Sequence, residues 1–308
     1  MSSELPIDAE LLRRIPLPWP EQHTDKDSRG KVLVAGGSAM SAGAVSLSGL
    51  AALRAGAGKV LLAVPQSLSL AIAVNFPEAG VKGFAVTAKG HPSRTASEQI
   101  GALLSQADAF LLGPGLSDES SAQRLARALL QSTVGLTCVV DAMCVTGLWD
   151  QQRLMSRHGG KLVITPHPGE MATLTGLSKE HIHKESMRVA EEVARRLQCI
   201  VVLKGSATVI AQPDGPTYHY HGGGVGLATS GSGDVLAGVL VGLVARGAKP
   251  IEAAIWSVYL HGEAGRRLAE RVGPLGFLAR ELPAEIPRLM GELGPPRATL
   301  SSIKESAD

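Results

Sequence analysis

The stretch Ala228-Thr-Ser-Gly-Ser-Gly-Asp-Val-Leu-Ala-Gly238 brings together residue types suited to chemistry on a phosphate. Gly231 and Gly233 allow a tight turn into a helix that begins near Asp234. Successive N–H groups there lack intrahelical partners and sit at the positive end of the helix dipole, which makes an anion pocket. Asp234 in that position could take the proton from a hydroxyl attacking a phosphoryl group, with the loop donors offsetting its charge. Equally open is that Asp234 only caps the helix and the glycines only turn the loop. In Ile164-Thr-Pro-His-Pro-Gly-Glu-Met171 a strand ends at Thr165, and two prolines hold His167 at its carboxyl end, where parallel sheets bind ligands. The alternative, stronger without context, is that Pro168 starts a helix with Glu170 in its first turn and His167 is a surface loop residue. In Val201-Val-Leu-Lys-Gly-Ser-Ala-Thr208 a strand delivers Lys204, a point charge for phosphate, while Gly205 allows close backbone approach and Ser206 and Thr208 add hydroxyls. A lysine closing an exposed turn is the ordinary alternative. Gly36-Gly37-Ser38 and Gly113-Pro-Gly115 are further strand-end turns of low specificity.

What is missing narrows the chemistry. No GxxxxGK[ST], HExxH or GxSxG occurs, and Gly36-Gly37-Ser38 lacks GxGxxG spacing. The three cysteines (Cys138, Cys144, Cys199) have no metal or disulfide spacing and read as inert thiols. Net charge is +2, the cations are scattered and aromatics are only 3%, so a nucleic-acid partner is not expected. The N-terminus lacks the apolar run of a signal peptide, and the most apolar helix candidate, from Val235 to Ala245, is too short to span a bilayer. No membrane partner is therefore expected, and the cytoplasm is the expected location.

These segments need a scaffold that presents strand ends and one helix start to a common point. Lys31–Ala35, a small-residue helix from 43 to 54 and a strand from 58 to 64 form a βαβ unit, the seed of a parallel sheet. Alternation continues with strands at 109–112, 137–141, 161–165 and 199–203, and helices around 121–130 and over 179–197. Short strands at 207–211 and 217–220 flank the turn Gln212-Pro-Asp-Gly215. Helices are predicted at 234–246, 250–271 and 276–291. Residues 1–29 read as a Pro-rich arm, 30–292 as one α/β domain and 293–308 as a polar tail.

The order GGS…SAGA…GPG…TPHPGEM…LKGSATVI…GLATSGSGDVLAG resembles the ADP-dependent NAD(P)H-hydrate dehydratases of the ribokinase-like superfamily, from about Gly30 to Pro287. The resemblance implies a three-layer α/β/α fold, with a central mostly parallel sheet and a C-terminal antiparallel strand pair. It also implies a hydro-lyase that restores NADH or NADPH from its hydrate. A phosphoryl group activates the ring hydroxyl, and phosphate then leaves. ADP is the implied donor, giving AMP, with ATP the alternative, and Mg²⁺ would offset phosphate charge. Matched residue by residue, Asp234 would be the catalytic base, and Ala44, Gly115, His167 and Asp234 would contact the hydrated cofactor. Lys204, Gly205, Ser206, Ala207, Thr208 and Gly233 would hold the adenine nucleotide, with Gly231, Ser232 and Gly233 as the anion hole. No metal-ligating residue is assigned. A homotetramer is implied, and some relatives carry a fused epimerase domain. Only a short arm precedes the core, so a separate epimerase would supply that step.

Three positions depart from the family pattern. A DADAL-like stretch reads Asp141-Ala-Met-Cys-Val145, with Met143 in place of the second acid. Gly224-Val225 stands where an Asn-Pro pair is usual, and Val45 follows Ala44 where Pro or Ala is commoner. One rival is a hydroxymethylpyrimidine- or thiazole-type alcohol kinase of the same superfamily. A second is a non-catalytic nucleotide-binding protein on the same fold, and a hydride-transferring oxidoreductase lacks its fingerprint.

Overall fold

Ten strands form one sheet in the computed structural model, which describes residues 4–19 and 25–294. In chain order they are β1 (Glu4–Pro6), β2 (Lys31–Ala35), β3 (Lys59–Pro65), β4 (Gly80–Phe84), β5 (Ala109–Leu112), β6 (Thr137–Val140), β7 (Leu162–Ile164), β8 (Ile200–Leu203), β9 (Thr208–Ala211) and β10 (Thr217–Tyr220). Their spatial order is β1-β10-β9-β8-β7-β6-β5-β2-β3-β4. Only β9 opposes the rest: it is antiparallel to β8 and to β10, while every other pairing is parallel. The expected antiparallel pair is therefore β9–β10.

Twelve helices complete the layers: α1 (Ala9–Arg14), α2 (Gly43–Arg54), α3 (Ser69–Asn75), α4 (Ala96–Gly101), α5 (Glu119–Ser132), α6 (Gln152–Ser156), α7 (Pro168–Thr175), α8 (Lys179–Lys184), α9 (Ser186–Leu197), α10 (Ser232–Ala245), α11 (Pro250–Arg271) and α12 (Leu282–Leu293). Successive strand side chains alternate between faces, so each strand feeds two cores. Val32 and Val34 of β2 pack with α2, α10, α11 and α12, whereas Leu33 and Ala35 pack with α4, α5 and α7 to α9. With both faces covered, the central strands must be apolar throughout, which is why they read as unbroken hydrophobic runs.

Most expected elements are present, with some differences. The helix predicted over 179–197 is two, because Glu185 leaves helical geometry at φ −119°, ψ 33° and separates α8 from α9. The last helix starts later than 276: the chain from Gly273 to Leu278 is a loop, and α12 begins at Leu282 with Pro283 in its first turn. Between 66 and 101, α3, β4 and α4 have short or weakly patterned sequences that the hydrophobic periodicity did not mark. Within the segment read as an arm, β1 pairs with β10 and Leu12 of α1 is fully buried. The polar tail beyond Gly294 lies outside the described residues.

Order in the sheet decides where a ligand can sit. From β2 the chain crosses to β3 and β4 on one side, then returns to β5 on the other. The switch point therefore falls between the carboxyl ends of β2 and β5, where the crevice of an open parallel sheet takes its ligand.

Candidate active site

The loops after β2 and β5 are those read as Gly36-Gly37-Ser38 and Gly113-Pro114-Gly115, and they touch. The Gly37 amide donates to the Pro114 carbonyl at 2.7 Å. A Cβ on Gly36 would lie 2.1 Å from that same oxygen. Gly115, at φ +73°, has room for no side chain: a Cβ would meet the Ser41 carbonyl at 2.4 Å and the Ala44 methyl at 2.9 Å. Ala44 and Gly115, expected to share a substrate site, are thus neighbours at the switch point.

Next along the sheet, β6 is followed by Asp141, which is almost wholly buried. Its Oδ1 accepts from the Thr165 hydroxyl at 2.6 Å and from the Lys204 ammonium at 2.8 Å. Lys204 reaches across the end of β7 to do so, its backbone anchored by donating to the Pro166 carbonyl at 2.9 Å. Ala142, next in the chain, has φ +55°, an uncommon conformation that turns the backbone away just after the carboxylate. Pro168 does start a helix. His167 is the N-cap of α7, its Nδ1 accepting from the amides of Gly169 and Glu170 at 2.9 and 3.2 Å. Glu170 closes the box by accepting from the His167 amide at 2.8 Å, and its Oε2 lies 4.0 Å from Lys204 Nζ.

Helix α10 begins over this row. Gly231 is its N-cap in the left-handed conformation, without a side-chain cap, and Asp234 is its third residue. A Cβ on Gly233 would sit 3.3 Å from Lys204 Nζ, so the glycine loop and the lysine face each other directly. Among the described residues no group donates a hydrogen bond to the Asp234 carboxylate. The Ser48 hydroxyl of α2 holds the Asp234 carbonyl at 3.0 Å instead.

Three carboxylates around one ammonium set the electrostatics. Burial pushes Asp234 up to about 7, and neighbouring Asp141 adds to the rise against the pull of Lys204. Burial also raises Glu170, partly opposed by Lys204. Burial alone would lower Lys204, but Asp141 and Glu170 outweigh it and hold the lysine above its ordinary value. Asp234 can therefore exchange a proton near neutrality while Lys204 stays charged.

Beside the row lies a cavity of about 720 Å³. Lys204, Gly205, Ser206, Thr208, Ser232, Gly233 and His167 line it, together with Tyr220, Leu236, Val258 and His261. Ala207, Ala44, Gly115 and Asp234 are not on its wall. His167, expected beside Ala44 and Gly115, lines this cavity because α7 starts at the end of β7, next to Lys204. The site is thus a cavity on the lysine side and a crevice on the switch-point side, with the start of α10 between them.

The family profile described as NAD(P)H-hydrate dehydratase matches residues 32–288. An ADP-dependent (S)-NAD(P)H-hydrate dehydratase of Xanthomonas campestris is 40% identical, over 93% of this chain and 96% of its own. The chain belongs to the NAD(P)H-hydrate dehydratase family. Members of this family are enzymes, hydro-lyases, and so is this chain. A bifunctional NAD(P)H-hydrate repair enzyme of Moorella thermoacetica is 39% identical over 91% of this chain, which spans only 53% of that relative. A Bacillus subtilis ADP/ATP-dependent NAD(P)H-hydrate dehydratase, co-crystallized with ATP and Mg²⁺, superposes with a TM-score of 0.77 at 27% identity, covering 94% of this chain and 98% of that one.

Several residues of this site carried no signal in the sequence. Tyr220 comes from β10 and His261 from the middle of α11, and neither stands in a motif. Glu170 and Thr165 sat within a motif already noted, yet only folding shows one facing Lys204 and the other bound to Asp141. The cysteines are all buried, and burial pushes each thiol up, Cys138 to about 12. Among the described residues no helix is long and apolar enough to cross a membrane.

Proposed function

We propose that this chain dehydrates the hydrate of NADH or NADPH using ADP, releasing AMP and phosphate. The observation that carries the reading is the meeting of a proton-exchanging carboxylate, Asp234, with a charged lysine, Lys204, at an uncapped helix start between a cavity and a switch-point crevice. The adenine nucleotide occupies the cavity, held by Lys204, Gly205, Ser206, Thr208 and Gly233, with Ala207 contributing through the turn. The hydrated ring lies in the crevice against Ala44 and Gly115, with His167 donating from the cavity edge. Asp234 takes the proton of the ring hydroxyl as its oxygen attacks the terminal phosphorus of ADP. The bond to AMP breaks, and AMP leaves with the bridging oxygen. The loop Gly231, Ser232 and Gly233 receives the charge on the phosphoryl oxygens through the amides of Gly231 and Gly233, while the Ser232 amide donates to the Thr229 carbonyl at 3.3 Å. Loss of phosphate from the ring, with a proton from the neighbouring carbon, restores the double bond.

Among the described residues no cluster of three or more His, Cys, Asp or Glu side chains could hold a metal. Asp141 is already engaged by Thr165 and Lys204. Mg²⁺ would therefore be held chiefly by phosphate oxygens and water, and would supply charge neutralisation. ATP as donor, a homotetrameric assembly, a cytoplasmic location and a separate epimerase as partner belong to the same proposal and rest on the family resemblance.

Incubation with hydrated NADH and ADP tests it. Recovery of NADH absorbance with stoichiometric AMP and free phosphate is the expected result. A phosphorylated alcohol accumulating without free phosphate would point to a small-alcohol kinase instead.

A further inference from the structure

Ser232 is the first residue of α10 and lies in the loop that faces Lys204. Beside it on the cavity wall is His261, midway along α11, with its Nε2 3.0 Å from the Ser232 hydroxyl oxygen and 3.0 Å from the Ser232 carbonyl oxygen. A carbonyl oxygen can only accept. The ring nitrogen must therefore carry the hydrogen and share it between the two oxygens of one residue. A lone pair there would instead face the carbonyl oxygen, which is repulsive. Because the hydroxyl oxygen accepts from the imidazole, its own hydrogen is left to point elsewhere. Among the described residues no other group takes it. Burial keeps the ring neutral, its proton affinity pushed down to about 4, so it carries a single N–H throughout the neutral range.

We propose that His261 is a positioning residue for the nucleotide: its N–H pins Ser232 so that the serine hydroxyl hydrogen faces the phosphoryl oxygens at the start of α10. This rests on the adenine-nucleotide reading of the cavity given above. The pinned hydroxyl adds a donor to the amides of Gly233 and Asp234, which have no partner among the described residues. Because it is oriented before the ligand arrives, no reorganisation is needed when charge develops. His261 never touches the phosphate and acts only through Ser232.

ADP titration calorimetry on the whole chain tests this, using H261L, H261N, H261Q and S232A, each with its unfolding midpoint. Glutamine can place an N–H near the Nε2 position, whereas asparagine falls short of Ser232 and leucine has no donor. H261L and H261N should bind ADP about tenfold more weakly, the worth of one hydrogen bond to a charged group, while H261Q stays within about threefold of the parent. Adding H261L to S232A should cost nothing further, since its effect runs through that hydroxyl. If leucine lowers the yield of folded protein, the contrast between asparagine and glutamine gives the same answer. Parental ADP affinity in both H261L and H261N overturns the inference, as does full additivity with S232A. An unmutated chain that binds no adenine nucleotide overturns the proposed function itself, and is recognised by the parent's own titration.

Discussion

Asp234 combines two properties at the residue scale that a cap alone would not need: among the described residues it has no hydrogen-bond donor, and burial together with Asp141 raises it to about 7. As a base it works only when ionised, so kcat/KM should rise with pH through about 7 and level off above. Asp141→Asn removes a neighbouring negative charge and should move that rising limb to lower pH, which a pH–rate profile of the variant reads directly. Asp234→Asn should lower turnover by about 10³-fold, in the range of lost general-base catalysis, while AMP affinity by calorimetry changes little. Unchanged turnover in that variant would defeat the catalytic assignment. The same shift has a sign for stability. A carboxyl group whose folded value exceeds its unfolded value of 3.8 costs stability as pH rises from about 4 through about 7. Asp234→Asn should therefore melt higher than the parent at pH 8, with the gain disappearing near pH 4.

Helices α2 and α10 are the elements that hold this carboxylate over the sheet, and they approach through small residues. A Cβ on Gly238 would lie 2.3 Å from the Ser48 carbonyl, and one on Gly242 2.6 Å from that of Ala52. Nearly every residue of α10 is buried, because α2, α11 and the sheet surround it. Its sequence is accordingly apolar all round instead of striped, unlike α9, which buries Val189, Ala190, Val193, Ala194 and Leu197 along one face. Gly238→Val should force the two helices apart and destabilise the fold by about 1–3 kcal/mol, as overpacking does. Because Ser48 also holds the Asp234 carbonyl, turnover of the folded variant should fall as well. An unfolding midpoint equal to the parent's would contradict this account of the interface.

For the whole molecule, the segment before β2 is part of the construction that supports the cavity wall. β1 pairs with β10, the strand that ends in Tyr220, and the Ile15 carbonyl accepts from the Trp256 indole at 2.7 Å. Deleting residues 1–15 would expose an unpaired β10 edge and open the pocket filled by Leu12. The truncated chain should melt lower and aggregate on heating, measured by light scattering, because an unpaired strand edge recruits other chains. A midpoint and scattering trace matching the parent would show that the segment is dispensable.

Much of this was legible locally. Apolar runs of strand length, alternating with helical stretches, announced a parallel sheet, since strands buried on both faces have to read that way. The GSGD, TPHPGEM and LKGSAT stretches named Asp234, His167 and Lys204, because a glycine turn, a proline-held loop and a strand-end lysine each act through near neighbours in the chain. Their alternatives stayed open for the same reason: a cap and a base look identical in sequence, and His167 proves to be a cap and a cavity residue at once. Strand order, which no local pattern encodes, decided the rest. It put the β2 and β5 loops in contact, carried Lys204 across β7 to Asp141, and let α11 bring His261 to Ser232. Charge interactions depend on distance through space and on exclusion of water, so the raised proton affinity of Asp234 came into being only when the chain folded.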